Sequence, residues 1–193
     1  MLKVGILALQ GAVEAHALKL RTLGAEVVEV RTPEALRGLS GIILPGGEST
    51  TMLHLLKLNH LFEPLKAFVQ EKPAWGVCAG MILLADTVTH PIQESLHAIA
   101  VEVARNGFGR QVDSFIGPVE PTPEFTLSEG KPVEGVFIRA PRVQKWAPDV
   151  KVLLKWHDEP VMLQKGRTLV SSFHPELTRS LLVHQYFINL CRA

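Results

Sequence analysis

Residues 73–85 read PAWGVCAGMILLA, a run without a single charged side chain. Its first part, AWGVC (74–78), has the short apolar character of a buried strand. Its continuation, AGMILLAD (79–86), has the look of a helix entering the core. Strand and helix therefore meet with no linker, at Cys78. Gly76, Ala79 and Gly80 crowd around that cysteine. Small neighbours of this kind permit a sharp strand-to-helix turn that presents a nucleophile, in the pattern Gly-x-nucleophile-x-Gly with Cys in place of Ser. The N–H groups of the helix that follows would favour the thiolate. A buried, inert thiol fits the same residues, because free cysteine is among the residues most often buried. The segment alone does not choose between the two.

Working outward, the first half alternates strand and helix patterns. Strands are expected at 3–9, 26–30 and 41–45. Helices are expected from Gly11 to Leu23, over 52–58 behind a Ser49 or Thr50 cap, and over 61–70. Such alternation implies right-handed crossovers and a parallel sheet covered on both faces. The second half carries strand-like runs at 99–105, 135–140, 150–156, 160–164 and 168–173, some pairing antiparallel across QKGRT (164–168). A last helix follows from about Leu177 to Cys191, and 117–132 reads as a surface loop. The expected fold is α/β: a flavodoxin-like, doubly wound, mostly parallel sheet with antiparallel additions, in one domain over 1–193.

Composition narrows the function. Twenty basic and nineteen acidic side chains leave a formal charge of +1, which gives no electrostatic case for nucleic acid or an anionic membrane. The longest apolar run, Ala74 to Ala85, is too short to span a bilayer. Glu14 and His16 arrive too early for a signal peptide, so a cytoplasmic protein is expected. Two cysteines, Cys78 and Cys191, make no disulfide framework. The eight histidines are scattered without metal-ligand spacing, so neither a metal nor another cofactor is expected.

Two further segments carry chemistry. In SFHPELT (172–178), His174 and Glu176 stand two apart after an apolar strand. Extended residues at that spacing face one side, so Glu176 can orient His174 as a base for Cys78. Taken alone, a solvated turn with an incidental histidine is the better reading of His-x-Glu. LPGGEST (44–50) follows a strand and opens a helix. Its glycines let backbone N–H groups approach a ligand or an oxyanion, and Glu48 suits an ammonium group rather than a phosphate. A tight turn with a serine cap is the plainer alternative.

In combination and in this order, the segments are specific. The chain resembles the class I (triad) glutamine amidotransferases, and within them the glutaminase subunits of pyridoxal 5′-phosphate synthase. The resemblance rests on LALQGAVEAH (7–16), LPGGESTTM (44–52), GVCAG (76–80), RNGFGRQVDSF (105–115), GVFIRAP (135–141) and SFHPELT (172–178). It implies Cys78 as nucleophile, His174 as general base and Glu176 as its orienter. It also implies backbone N–H groups of Gly47 and Ala79 as oxyanion donors. L-Glutamine is expected against Gly47, Glu48, Ser49, Arg105, Ile138 and Arg139, since a free amino acid offers an ammonium to a carboxylate and a carboxylate to guanidinium groups. The implied partner is a (β/α)8-barrel synthase subunit, in a hetero-oligomer, that receives the ammonia.

The segment 89–104 matches the family only loosely, and Gly107 stands where a larger residue is expected. His16 stays outside the triad, in a segment whose family role is at the subunit interface. The competing readings are a flavodoxin-like cysteine hydrolase or chaperone with an elbow Cys, and a non-catalytic module with a degenerate triad. Neither needs HPE together with PGGES and Arg105, and the triad residues are all present.

Overall fold

A computed structural model describes residues 1–105 and 114–193. Most of the RNGFGRQVDSF motif, including Gly107, lies outside the described residues. The first half runs β1 (Lys3–Leu7), α1 (Val13–Thr22), β2 (Glu26–Val30), β3 (Gly41–Leu44), α2 (Ser49–Leu58), α3 (Phe62–Glu71), β4 (Ala74–Val77) and α4 (Ala79–Leu84). The second half is mostly strand: β5 (Ala85–Thr89), β6 (Ile99–Ala104), β7 (Ser114–Pro121), β8 (Val133–Ile138), β9 (Arg142–Trp146), β10 (Lys151–Trp156), β11 (Glu159–Lys165) and β12 (Thr168–Ser171), closed by α5 (Leu182–Arg192).

Among the described residues nine strands form one sheet in the order β2-β1-β3-β4-β12-β11-β10-β7-β8. The part from β2 to β12 is parallel. From β12 onward every pairing is antiparallel. β5, β6 and β9 make a smaller separate sheet. This is the expected mostly parallel α/β architecture with antiparallel additions.

The central strands β3, β4 and β12 are buried at every position, as strands covered on both faces must be. Alternate residues feed two cores. Ile42, Leu44, Ala74 and Val170 pack with Met52, Leu56, Leu65 and Leu83 from α2, α3 and α4. Ile43, Trp75, Val77 and Leu169 face the other way, onto Ala17 and Leu20 of α1 and Val183, Phe187 and Ile188 of α5. Because β1, β3, β4 and β12 are parallel, their carboxyl ends share one edge. The chain leaves that edge at Gln10, Gly46, Cys78 and His174, so the fold itself gathers the three chemical segments.

Several boundaries differ from expectation. The expected surface loop 117–132 holds most of β7, paired to β8 from Ser114↔Ile138 to Val119↔Val133, and a 3-10 turn at Thr126–Ser128. Its burial alternates along the strand, but the inward positions hold Gly117 and Pro121 beside Phe115 and the fully buried Val119, while Ile116 faces outward, so the residue types do not alternate as the faces do. α4 ends at Leu84, and the apolar run passes directly into β5. The last helix begins at Leu182, where Ser180 Oγ accepts from its N–H at 3.2 Å. α2 is capped by Glu48, whose carboxylate accepts from Thr50 N–H at 3.3 Å, and not by Ser49 or Thr50. No helix among the described residues is long and apolar enough to cross a membrane.

Candidate active site

Cys78 sits between β4 and α4 with φ 51° and ψ −102°. A non-glycine residue held there stores backbone strain, as a nucleophile elbow requires. Tight packing enforces the turn. A Cβ on Gly80 would lie 1.9 Å from the Leu44 carbonyl oxygen, so only glycine lets α4 pass this close to β3. The thiol is nearly buried and points at the Ile138 carbonyl, with Sγ 3.9 Å from its oxygen.

His174 follows β12, and its N–H donates to the Val136 carbonyl at 2.7 Å, tying it to β8. Its Nδ1 donates to Glu176 Oε1 at 2.7 Å. The contact is made by a 3-10 turn over Pro175–Leu177, not by strand alternation. The outcome is the one expected; the local geometry is different. With Nδ1 committed to the carboxylate, Nε2 is the nitrogen left for Cys78. Burial alone would lower the His174 pKa, but its interactions with the Cys78 thiol and the Glu176 carboxylate outweigh that and raise it to about 10. Burial pushes Glu176 up; the His174 hydrogen bond and the nearby His16 reverse this, and the carboxyl is held below its usual value. Both shifts favour an imidazolium hydrogen-bonded to a carboxylate.

The Gly46 backbone lies against the His174 ring, where a Cβ would meet Cε1 at 2.4 Å. Two bonds hold the loop to the segment after β1: Ala12 N–H donates to the Gly46 carbonyl at 3.2 Å, and Glu48 N–H donates to Gln10 Oε1 at 2.9 Å. The Gly46 carbonyl thus faces Ala12, and the Gly47 N–H, anti to it across a trans peptide, points away from Ala12. Ala79 opens α4, so its N–H has no intrahelical acceptor.

Every residue expected from the sequence lines one cavity of about 390 Å³: Gly47, Glu48, Ser49, Cys78, Ala79, Arg105, Ile138, Arg139, His174 and Glu176. Its volume suits a small molecule. Arg105 Nη2 donates to Glu48 Oε1 at 3.0 Å, so the two charges expected to divide a zwitterion face each other here. Burial raises the Glu48 carboxyl, but the Thr50 hydroxyl and N–H, Arg105 and Arg139 hold it low. Ile138 offers its carbonyl to the thiol. Arg139 has φ 42°, a left-handed turn at the end of β8.

Sequence reasoning missed some of the site's support. Ser49 Oγ donates to Gln93 Oε1 at 2.8 Å, and Gln93 lies in the loosely matched stretch 89–104, where a lone glutamine carries no signal. His16 is fully buried, although its segment was expected at an interface. The second thiol has no part in the cavity. Cys191 packs beside Gly41, and burial pushes its pKa up to about 12.

A model of the SNO glutamine amidotransferase family matches residues 6–193. The chain belongs to that family. Among other members, it is 47% identical over 191 residues to pyridoxal 5′-phosphate synthase subunit PdxT of Solibacter usitatus, covering 98% of this chain and 99% of that protein. It is 46% identical over 194 residues to the PdxT of Carboxydothermus hydrogenoformans, with full coverage of both. A crystal structure of a glutamine amidotransferase superposes with a TM-score of 0.89 at 41% identity, covering 98% of this chain and 99% of the other. PurLQS of Thermotoga maritima superposes at 0.69 with 15% identity, covering 97% and 98%, a likeness of fold alone. As a member of the glutamine amidotransferase family the chain is an enzyme that works on glutamine, and the cavity holding Cys78, His174 and Glu176 is where the family's chemistry has its candidate residues.

Proposed function

We propose that residues 1–193 act as one glutaminase domain that hydrolyses L-glutamine to L-glutamate and ammonia and passes the ammonia to the synthase subunit of pyridoxal 5′-phosphate synthase. The observation that carries this reading is the convergence of all ten expected residues on one cavity. The full-length identity to proteins named PdxT supports the destination of the ammonia.

The Cys78 thiolate attacks the side-chain carboxamide carbon. A C–S bond forms, and the oxyanion is received by the N–H groups of Gly47 and Ala79. As the intermediate collapses, the C–N bond breaks and imidazolium His174 gives its proton to the leaving nitrogen, releasing ammonia. Neutral His174 then takes a proton from water, whose oxygen attacks the thioester. The C–S bond breaks, restoring the thiolate beside the imidazolium, and the carboxylic acid so formed gives up its proton to solvent and leaves as glutamate. Glu176 holds the ring in place throughout. Glu48 and Arg105 separate to receive the ammonium and carboxylate of the substrate, with Arg139 at the rim.

A free glutaminase would waste glutamine, so the barrel-shaped synthase partner is assigned the task of completing the site in a hetero-oligomer. The segment 9–16 grips the Gly46–Gly47 loop through Gln10 and Ala12, which supports this segment as the route of activation. Losing one oxyanion donor costs about 10²–10³ in rate, so a turned Gly46–Gly47 peptide suffices to hold the isolated chain nearly idle. On this reading the protein is cytoplasmic, and its two cysteines are free thiols.

The test is release of glutamate from glutamine, with and without the synthase subunit. The chain alone should be slow, and the partner should accelerate it by about 10²–10³. Cys78→Ala should abolish turnover with the fold intact, whereas Cys191→Ala should keep it. Full activity of the isolated chain, or a glutamine-analogue adduct on Cys191, overturns the reading.

A further inference from the structure

Behind Glu176, on the side away from His174, two histidines are sealed into the core. His16 of α1 and His184 of α5 both have no solvent exposure. His16 Nδ1 lies 2.9 Å from His184 Nε2, and His16 Nε2 lies 3.6 Å from Glu176 Oε2. Trp75 of β4 presents its ring edge-on to both, with centroids 5.6 Å and 4.9 Å away. Lys19 of α1 is the nearby cation, its Nζ donating to the carbonyls of Thr178 and Ser180 at 2.7 and 2.8 Å. Among the described residues, His16 Nε2, Glu176 Oε2 and His184 Nδ1 have no hydrogen-bond partner.

We propose that His16 and His184 are positioning residues for the triad, His184 donating from Nε2 to His16 Nδ1 and so fixing the His16 proton on Nε2, where it is aimed at Glu176 Oε2. This deepens the glutaminase reading and rests on it.

The argument is one of proton counting. Burial lowers the His16 pKa to about 4 against the pull of Glu176, with His174 and Lys19 adding to the fall. Burial, His16 and Lys19 take His184 well below its ordinary value. Both rings are therefore neutral near pH 7, with one N–H each. One proton must sit in the 2.9 Å contact between them. If His16 supplies it, the bare Nε2 lone pair faces a carboxylate oxygen, and a His184 Nδ1–H is buried with no acceptor. If His184 supplies it, His16 Nε2–H faces the carboxylate, and the atom left over is only a bare acceptor on His184. The second arrangement removes a repulsion and an orphan donor.

Glu176 then has an N–H directed at each oxygen: His174 at Oε1, 2.7 Å away, and His16 at Oε2, 3.6 Å away. The longer contact is a dipole aimed at the charge and not yet a hydrogen bond; such contacts tighten when a site closes on substrate. It keeps a buried carboxylate ionised and stops it turning away from His174.

Two measurements decide the matter without relying on glutamine turnover. Long-range ¹H–¹⁵N spectra of the histidine-labelled chain should show both His16 and His184 as Nε2–H tautomers from pH 6 to 8, assigned through His16→Phe and His184→Phe. An Nδ1–H tautomer at His16, or a charge on either ring in that range, overturns the proposal. The rate of Cys78 alkylation by iodoacetamide reads the strength of the thiolate–imidazolium pair. His16→Phe should slow it near pH 7 by up to about tenfold, equivalent to one pKa unit, and move its pH profile upward. His16→Gln, which keeps a donor toward Oε2, should restore the parent profile. An unmoved profile in folded His16→Phe overturns the proposal, and should that variant not fold, the tautomers decide. A chain that shows these tautomers and alkylation rates yet releases no glutamate, even with the synthase, refutes the glutaminase reading instead.

Discussion

At the scale of the residue, burial alone would drive the Glu176 carboxyl toward its neutral acid. The 2.7 Å bond from His174 Nδ1 reverses that, and the same bond leaves His174 with one nitrogen for Cys78. On the proposed mechanism the carboxylate orients His174 and helps hold its proton, without itself carrying a proton to or from substrate. Glu176→Gln keeps a carbonyl acceptor for Nδ1–H, and its amide NH2 turns toward His16, which answers by presenting a bare nitrogen. On the proposed mechanism His174→Ala removes the proton carrier altogether. Glu176→Gln is therefore expected to lower kcat in the synthase complex by about 100-fold less than His174→Ala does, the spread seen between base and orienter in other triads. Steady-state glutamate release from both variants, each checked for folding by circular dichroism, measures the ratio. Equal losses would mean that Glu176 itself handles protons.

At the scale of the element, the strand ends bring the chemistry together, and the loop after β3 is the adjustable part. Gln10 accepts from Glu48 N–H at 2.9 Å, so it holds the start of α2 and the Gly46–Gly47 peptide to the segment after β1. Gln10→Ala releases that hold while leaving Cys78, His174 and Glu176 untouched. It should weaken stimulation by the synthase several-fold or more, with Cys78 alkylation unchanged in the isolated chain. Undiminished stimulation would remove the segment from the activation route. Much of this arrangement is legible in the sequence. β3, β4 and β12 announce themselves because strands buried on both faces are apolar throughout. The elbow is legible because only small residues allow α4 to touch β3 at Gly80. β7 is not, because Gly117 and Pro121 take inward positions and Ile116 an outward one, so residue type does not follow the faces. The α4–β5 boundary is hidden inside one apolar run that has no period to change. His184 and Gln93 are invisible for another reason: a lone polar residue reads the same whether it meets water or, as here, His16 and Ser49.

At the scale of the whole molecule, the two cores respond differently to pH. The core between the sheet and α1 and α5 contains His16 and His184 among Trp75, Phe187 and Ile188. Both histidines have folded pKa values below the ordinary 6.5. Below pH 6.5 the unfolded chain therefore binds protons that the folded chain refuses, and stability falls as pH drops toward 4. His16, lowered to about 4, alone accounts for about 3 kcal/mol over that window, a large share of an ordinary domain's stability. His174 has the opposite sign. Its pKa is raised to about 10, so its contribution is complete below 6.5 and is lost as pH rises through about 10. Glu176, held low, contributes fully above the ordinary carboxylate range and loses that contribution only in stronger acid. Stability should therefore peak near pH 6.5, with the acid side set by the buried pair. Urea midpoints at pH 7 and pH 5 check this. The parent should lose stability between them, and His184→Phe, whose ring can still pack on Trp75, should lose less. An equal loss in parent and variant would take His184 out of the acid limb.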